Sequence, residues 1–203
     1  SVLSEVGMLP ADLMGLKPLK FKQLNSLVKK KNFIDILISN VSNLLTFANT
    51  KKTNSIILNY DDKSLDLFYW YQQLVAESIG KNSKGILPII SSMPKDNHSL
   101  MQLYLSGPKN NFYTFFFVKD KISKNINKVK FSQFNATQNV FKKKNIPFRS
   151  FVIDKRNEET LGELFTFFIL ETILLARAMN VNPFNQPAVE LIKTETKKIL
   201  SKS

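Results

Sequence analysis

The chain has 203 residues, a formal net charge of +13, no cysteine and a single histidine. The lack of cysteine excludes disulfides, thiolate nucleophiles and thiolate metal sites, and one imidazole argues against a multi-histidine zinc site. Hydrophobic residues make up 43% of the chain, which suits one globular domain, and no apolar run reaches the ~20 residues of a membrane span.

Apolar residues at helical spacing fill the first part of the chain. Residues 2–16 are predicted to form two short helices that separate at Pro10, because proline interrupts helical hydrogen bonding. A broad apolar face predicts a further helical region over about 20–48. We therefore expect a helical lead-in over residues 1–50.

Four short runs rich in β-branched and aromatic residues then predict buried strands. They cover residues 55–60, 85–90, 112–118 and 149–154. Helices are predicted between and after them, over residues 64–79, 99–105, 130–144, 158–179 and 182–203. Ser64 is the expected N-cap of the first of these helices, and Gly80 follows its end. The alternation predicts a three-layer α/β fold, in which helices flank a mainly parallel, flavodoxin-like sheet and long helices close the chain.

The predicted sheet would form the core of a single domain over residues 1–203, with the α/β part beginning at residue 51. Ligands of such sheets bind at the carboxyl ends of the strands, so we expect functional residues in the loops that directly follow strands. The helix over 158–179 is apolar almost all round, which favours a core helix or a subunit-interface helix.

Gln73 and Glu77 are one helical turn apart, just before Gly80. A carboxylate in dry surroundings can act as a general base in carbon-acid chemistry. The alternative is a solvated carboxylate that pairs with Lys81, again one turn away, and spacing alone favours that alternative.

His98 and Lys193 are two further candidates for chemistry. His98 follows a polar loop and, as the only imidazole, could act as an acid or a base near neutral pH. Lys193 comes seven residues after Gln186, so the two side chains could lean to one side of the last helix. For both residues the alternative is an ordinary exposed side chain.

The positive charge is compatible with nucleic acid, anionic lipid or an anionic small substrate. Arginine occurs only at positions 149, 156 and 177, whereas proteins that read nucleic acid usually rely on its forked contacts. The lysines are scattered apart from two short runs. We therefore keep nucleic acid only as a minor alternative and expect neither a nucleic-acid partner nor a membrane partner.

Four segments, residues 1–8, 73–81, 97–104 and 182–193, read as motifs. Taken together, they resemble the phosphoglucose (glucose-6-phosphate) isomerase family. The run QLVAESIGK, residues 73–81, is similar to the family motif Q-x-x-x-E-S-x-G-K, and Trp70 precedes it. Residues 97–104, NHSLMQLY, resemble the family's histidine loop. Residues 182–193, NPFNQPAVELIK, resemble its C-terminal signature in the short bacterial form, and residues 1–8, SVLSEVGM, resemble the segment after its GGR motif.

The resemblance implies the carboxyl-terminal lobe, of the sugar-isomerase (SIS) type, of an enzyme that interconverts glucose 6-phosphate and fructose 6-phosphate through an enediol. Glu77 matches the base that moves the proton between C2 and C1, and Gln73 and Gln186 match substrate-contacting amides. His98 matches the histidine that helps to open the sugar ring and reaches in from the partner subunit of a homodimer. Lys193 matches the lysine that assists at the ring oxygen. No metal and no organic cofactor is implied.

The sequence also departs from the family pattern. The GGR arginine would lie just upstream of Ser1, the amino-terminal lobe that binds the substrate phosphate is not in this sequence, and Asn185 replaces the usual aspartate. Since the chain does not begin with Met, we expect a fragment or a processed chain. Without that arginine and that lobe, we expect the chain to be inactive alone. The absence of cysteine fits a cytoplasmic enzyme. A non-catalytic module that binds sugar phosphates is the alternative function.

Overall fold

Four parallel strands form one sheet in the part of the chain that the structure describes. The computed structural model describes residues 2–120 and 125–201. The strands are β1 (Asn54–Asn59), β2 (Leu87–Ser92), β3 (Asn111–Val118) and β4 (Phe148–Ile153), in the order β2-β1-β3-β4. Ile57 of β1 lies opposite Ile90 of β2 and Thr114 of β3. The predicted strands and the parallel α/β fold class are confirmed.

The described residues also form ten α-helices. The first four precede the sheet: α1 (Glu5–Leu13), α2 (Pro18–Phe21), α3 (Leu24–Leu27) and α4 (Lys31–Asn49). The next four connect the strands: α5 (Leu65–Ile79), α6 (Asp96–Ser99), α7 (Met101–Ser106) and α8 (Asn125–Lys143). Two long helices follow β4: α9 (Glu158–Ala178) and α10 (Pro187–Leu200). None of the helices within the described ranges is long and apolar enough to cross a membrane.

The two faces of the sheet carry separate hydrophobic cores. Successive side chains of a strand point to opposite faces, so Ile57 and Phe116 face α4, α5 and α9. Leu58 and Phe115 face α7 and α8 on the other side. Because the connecting helices lie on both faces, the chain winds outward from β1 in two directions and produces the three predicted layers.

α9 is a core helix, covered by α2, α4 and α5. Its residue Gly162 lets α2 approach closely, since a Cβ at this position would lie 2.3 Å from the backbone oxygen of Phe21. The helical lead-in is therefore attached to the core through a contact that requires glycine.

A buried ion pair connects β4 with α9. Arg149 pairs with Glu171, whose side chain is 2% exposed. Arg149 also donates to Oη of Tyr71 at 3.2 Å and, through Nε, to Oγ1 of Thr114 at 3.0 Å. Burial by itself would lower the pKa of Arg149, but the charge of Glu171 and the contact with Tyr71 outweigh it, so this pKa is raised. The guanidinium is thus charged, buried and dependent on its carboxylate partner.

One expectation for the lead-in is wrong. Pro10 lies inside α1 rather than between two helices, because the backbone bonds around it persist and the nitrogen of Met14 still donates to the oxygen of Pro10 at 3.0 Å. The region over 20–48 is helical, as predicted, and it is divided among α2, α3 and α4; α2 ends where Lys22 leaves the helical conformation at φ −81° and ψ 72°.

Ser64 is the N-cap residue of α5, as expected, but its hydroxyl donates to Asp61 and makes no capping bond to the helix. Ser64 also closes the short 3-10 turn Asp62–Ser64. The last helix begins at Pro187, where proline occupies a first-turn position, and not at residue 182. The final two residues of the predicted span, 202–203, lie outside the described residues.

Candidate active site

Three of the predicted residues meet at the end of α5. The side-chain nitrogen of Gln73 donates to Oε1 of Glu77 at 2.9 Å. The side-chain nitrogen of Gln186, 109 residues further along the chain, donates to Oε2 of Glu77 at 2.8 Å. Both carboxylate oxygens of the half-buried Glu77 are therefore oriented by neutral amides, and each keeps a second lone pair for another ligand.

The expected surface pair of Glu77 with Lys81 is replaced by a different arrangement. Nζ of Lys81 donates to the backbone oxygens of Ser78 at 2.9 Å and Asn182 at 2.6 Å. Burial lowers the pKa of Lys81, and the nearby charge of Glu77 opposes that change. The charge of Glu77 thus acts on Lys81, while Nζ of Lys81 binds backbone carbonyls directly.

The cluster of Gln73, Glu77 and Gln186 lies at the amino ends of the strands. Ligands of α/β sheets usually bind at the opposite edge, at the carboxyl ends of the strands. β1 and β2 are parallel, so α5 must run back from the carboxyl end of β1 to the amino end of β2. Glu77, in the last turns of α5, consequently lies near the amino edge. The expectation that functional residues directly follow strands does not hold for this cluster.

Two cavities open on either side of the contact between Glu77 and Gln186. One, of about 370 Å³, is lined by both residues together with Val2, Trp70 and Phe184. The other, of about 640 Å³, is lined by both residues and by the turn after α5 and the first turn of α10. The carboxylate is therefore accessible to a small ligand, and the first cavity combines apolar walls with polar groups, as ligand sites commonly do.

His98 and Lys193 do not join this cluster. His98 is exposed in α6, just after β2, and so lies toward the carboxyl edge of the sheet. Nζ of Lys193 pairs with Oε1 of Glu190 at 2.7 Å on the exposed helix α10. The spacing argument for Lys193 fails because Gln186 is the residue before α10 and is oriented by the preceding segment rather than by the helix.

That preceding segment is shaped by the end of α9. Asn180 adopts the left-handed conformation with φ 55°, and the nitrogens of Asn180 and Val181 donate to the oxygens of Arg177 and Ala176. This is the Schellman arrangement, which reverses the chain direction at a helix end. It directs residues 182–186 back toward the end of α5 and brings Gln186 to Glu77.

A third cavity, of about 180 Å³ and lined mainly by polar residues, lies at the carboxyl ends of β1 and β3. Arg156 and Asp61 form an ion pair there, and Lys130 pairs with Asp62 at 2.9 Å. The charges of these four residues are therefore paired within the cavity. Across the described ranges, no group of three or more histidine or acidic residues is placed to hold a metal ion.

The sequence reasoning missed the parts played by Lys81, Lys84, Val2 and Phe184 around this cluster. Lys81 and Lys84 flank Asn82-Ser83, a pair of turn-forming residues between Gly80 and Gly85, which is a local signal for a tight turn. The contacts that the two lysines make across about a hundred residues have no such local signal.

Comparison with known proteins shows relatives along almost the whole chain. A protein of Methanocaldococcus jannaschii named glucose-6-phosphate isomerase is 30% identical over 98% of the chain and 54% of its own length. One of Mycoplasmopsis pulmonis with the same name is 30% identical over 100% of the chain and 53% of its own length. A probable glucose-6-phosphate isomerase of Methanococcus maripaludis is 33% identical over 94% of the chain and 48% of its own length. No family model matches the chain.

Solved structures share the fold. A hypothetical protein of Thermus thermophilus superposes with a TM-score of 0.85 and 21% identity, over 98% of this chain and 54% of its own. A glucose-6-phosphate isomerase of Chlamydia trachomatis superposes with a TM-score of 0.59 and 17% identity, over 73% of this chain and 35% of its own. The chain thus spans about half the length of the curated relatives that it matches.

Proposed function

The chain is homologous to glucose-6-phosphate isomerases over nearly its whole length, and from this relationship we propose that it is the carboxyl-terminal lobe of such an isomerase. In this proposal it interconverts glucose 6-phosphate and fructose 6-phosphate once an amino-terminal lobe completes the site. Such a reaction would belong to glycolysis and gluconeogenesis, and we expect it in the cytoplasm. The observation that carries the proposal is the placement of Glu77 between Gln73 and Gln186 beside two cavities.

Glu77 is suited to the proton transfer that this reaction needs. The carboxylate would remove the proton from C2 of the open-chain aldose, leaving an enediol, and the resulting carboxylic acid would return that proton to C1. The hydroxyl proton moves from O2 to O1, so that no other reactant is consumed. Fixed amide donors on both oxygens keep the carboxylate in one orientation while its remaining lone pairs face the substrate.

The position of Val2 supports a contribution from residues upstream. Val2 lines the 370 Å³ cavity together with Glu77, so residues that precede it in a longer chain would approach the carboxylate. The sequence resemblance puts the GGR arginine at this point. A cation there would stabilise the negative charge that develops on the enediol oxygens.

The position of His98 supports a homodimer. β2 contains six residues and spans about 20 Å, and His98 lies beyond its carboxyl end while Glu77 lies near its amino end. Two residues at opposite edges of one sheet can share a site only if a second subunit supplies one of them. We therefore assign His98 to the site of the partner subunit.

Exposed apolar side chains support contact with an amino-terminal lobe. Val6, Leu9 and Leu13 form an exposed stripe on α1, and every residue of α10 is exposed, including Leu191 and Ile192. Each helix is next in sequence to a residue that lines the 370 Å³ cavity: α1 follows Val2, and α10 follows Gln186. We expect the missing lobe to cover them and to bring Lys193 toward the substrate.

The test is the variant Glu77→Gln in a protein that contains both lobes. Loss of the general base should reduce kcat by about 10²- to 10⁴-fold while glucose 6-phosphate still binds. Glu163→Gln is the matched control, because Glu163 is an exposed carboxylate on α9 that lines neither of the two cavities. Unchanged turnover in Glu77→Gln would exclude the proposed base.

A non-catalytic module that binds sugar phosphates is the second candidate. The pairing of Lys193 with Glu190, away from both cavities, favours it. Exchange of the C2 proton of glucose 6-phosphate with deuterated water, followed by NMR, separates the two functions. Only the isomerase catalyses that exchange.

A further inference from the structure

Two lysines donate hydrogen bonds to the segment that leads to Gln186. Nζ of Lys81 donates to the oxygen of Asn182 at 2.6 Å, and Nζ of Lys84 donates to the oxygen of Met179 at 2.8 Å. We call residues 179–186 the strap. It leaves the end of α9, passes the two lysines and ends at Gln186, whose amide reaches Glu77.

Both lysines project from one tight turn. The nitrogen of Lys81 donates to the oxygen of Lys84 at 3.1 Å, and the reverse bond measures 2.9 Å. Asn82 and Ser83 between them have φ of 54° and 58°, the combination of a type I′ hairpin turn. The turn follows α5 directly, so both lysines lie within seven residues of Glu77.

The contacts suit charged donors. Met179 and Ser78 supply carbonyls at the ends of α9 and α5, where the helix dipole is negative and cations are favoured. A hydrogen bond from a charged donor is about twice as strong as one between neutral groups. Replacement of either lysine by an apolar residue of similar length would remove one of these bonds between the strap and the turn.

We propose that Lys81 and Lys84 are positioning residues, which hold the strap so that Gln186 can orient Glu77. This assignment rests on the proposed function, in which Glu77 is the base. Neither lysine needs to touch the substrate. Their effect passes through Asn182 and Met179 to Gln186, and from Gln186 to the carboxylate.

A direct test uses the side-chain amide of Gln186 in NMR spectra of the full chain of 203 residues, identified by its disappearance in Gln186→Ala. In Lys81→Met and in Lys84→Met this signal should move toward that of an unbound glutamine amide. Lys52→Met is the matched control, because Nζ of Lys52 also donates to a distant backbone oxygen, that of Lys109 at 3.0 Å, away from the strap. An unmoved signal in the folded variants would overturn the proposal. If Lys81→Met does not fold, the position of the Gln186 signal in Lys84→Met alone tests the proposal.

Kinetics on the protein with both lobes gives an independent test. Lys81→Met should lower kcat between about 10- and 100-fold, with a smaller change in KM. In a background of Gln186→Ala the same substitution should have little further effect, because the pathway through Gln186 is already broken. Additive losses would contradict the proposal. A moved NMR signal without any isomerase activity in the parent protein would instead leave the positioning intact and refute the proposed function.

Discussion

Glu171→Gln is expected to be among the most destabilising conservative substitutions in this fold. The change keeps the shape of the side chain and removes its charge, so that the buried guanidinium of Arg149 loses its ionic partner. Glu171 is 2% exposed and Arg149 14% exposed, so water cannot replace the lost carboxylate. Breaking such a buried pair costs about 3–5 kcal/mol.

The assay is urea unfolding, followed by circular dichroism and by the fluorescence of Trp70, the single tryptophan. With a denaturant dependence of about 2 kcal/mol per M urea, the midpoint should fall by about 1.5–2.5 M. Glu163→Gln is the matched control, because Glu163 is exposed on the same helix, and its midpoint should shift by less than about 0.3 M.

The pair Arg149→Met with Glu171→Leu separates a charge effect from a packing effect. Replacing both charges by apolar residues removes the uncompensated charge, so the double variant should recover most of the stability lost in Glu171→Gln. A loss below about 1 kcal/mol in Glu171→Gln, or no recovery in the double variant, would refute the reasoning from buried charge.

Two further predictions concern the turn after α5 and alkaline stability. Ser83→Gly should raise the free energy of unfolding by about 1 kcal/mol, because Ser83 has φ 58° and glycine carries no penalty there. Ser201→Gly should not raise it, because Ser201, the C-cap residue of α10, already has a negative φ of −78°. Burial raises the pKa of the Tyr60 hydroxyl to about 12, above its value in the unfolded chain. The neutral hydroxyl therefore contributes fully to the free energy of unfolding below about pH 10, and this contribution disappears as the pH rises toward 12. Tyr60→Phe should flatten the fall in stability between these pH values in urea titrations, and an unchanged slope would contradict this assignment.

The strands could be placed from sequence because their signal is local. Runs such as FYTFFFV in β3 alternate between two buried faces, and few other structures accommodate so many aromatic residues in a row. The lead-in was harder, because its short helices depend on contacts with α9. At Gly162, for instance, the backbone of α2 sits where any side chain would clash, and nothing in the sequence around residue 162 indicates that neighbour.

The candidate site was predictable only in part, for a similar reason. Gln73 and Glu77 are one turn apart on a single helix, so their contact follows from helical geometry. Gln186 reaches Glu77 because Asn180 turns the chain at the end of α9 and two lysines hold the strap, and the contacts of these lysines span about a hundred residues. The spacing argument that put Lys193 on the same side as Gln186 counted residues along a helix that begins only after Gln186, so the two residues do not share a helix face.

The charges around Glu77 explain why the end of α5 would supply the base of the proposed isomerase but not the cation that its substrate needs. Both oxygens of Glu77 accept from neutral amides, and the lysines of the adjoining turn are directed to backbone carbonyls. A developing enediolate needs a cation or fixed donors beside it, and within the described ranges the cations nearest in sequence to Glu77 are already engaged in positioning. The same lysines cannot stabilise the substrate without releasing the strap, and with it Gln186. In the proposed isomerase, the cation that stabilises the substrate must therefore come from other residues. We expect the arginine of the GGR motif, and Lys193 once the amino-terminal lobe has moved it toward the substrate, to supply that charge.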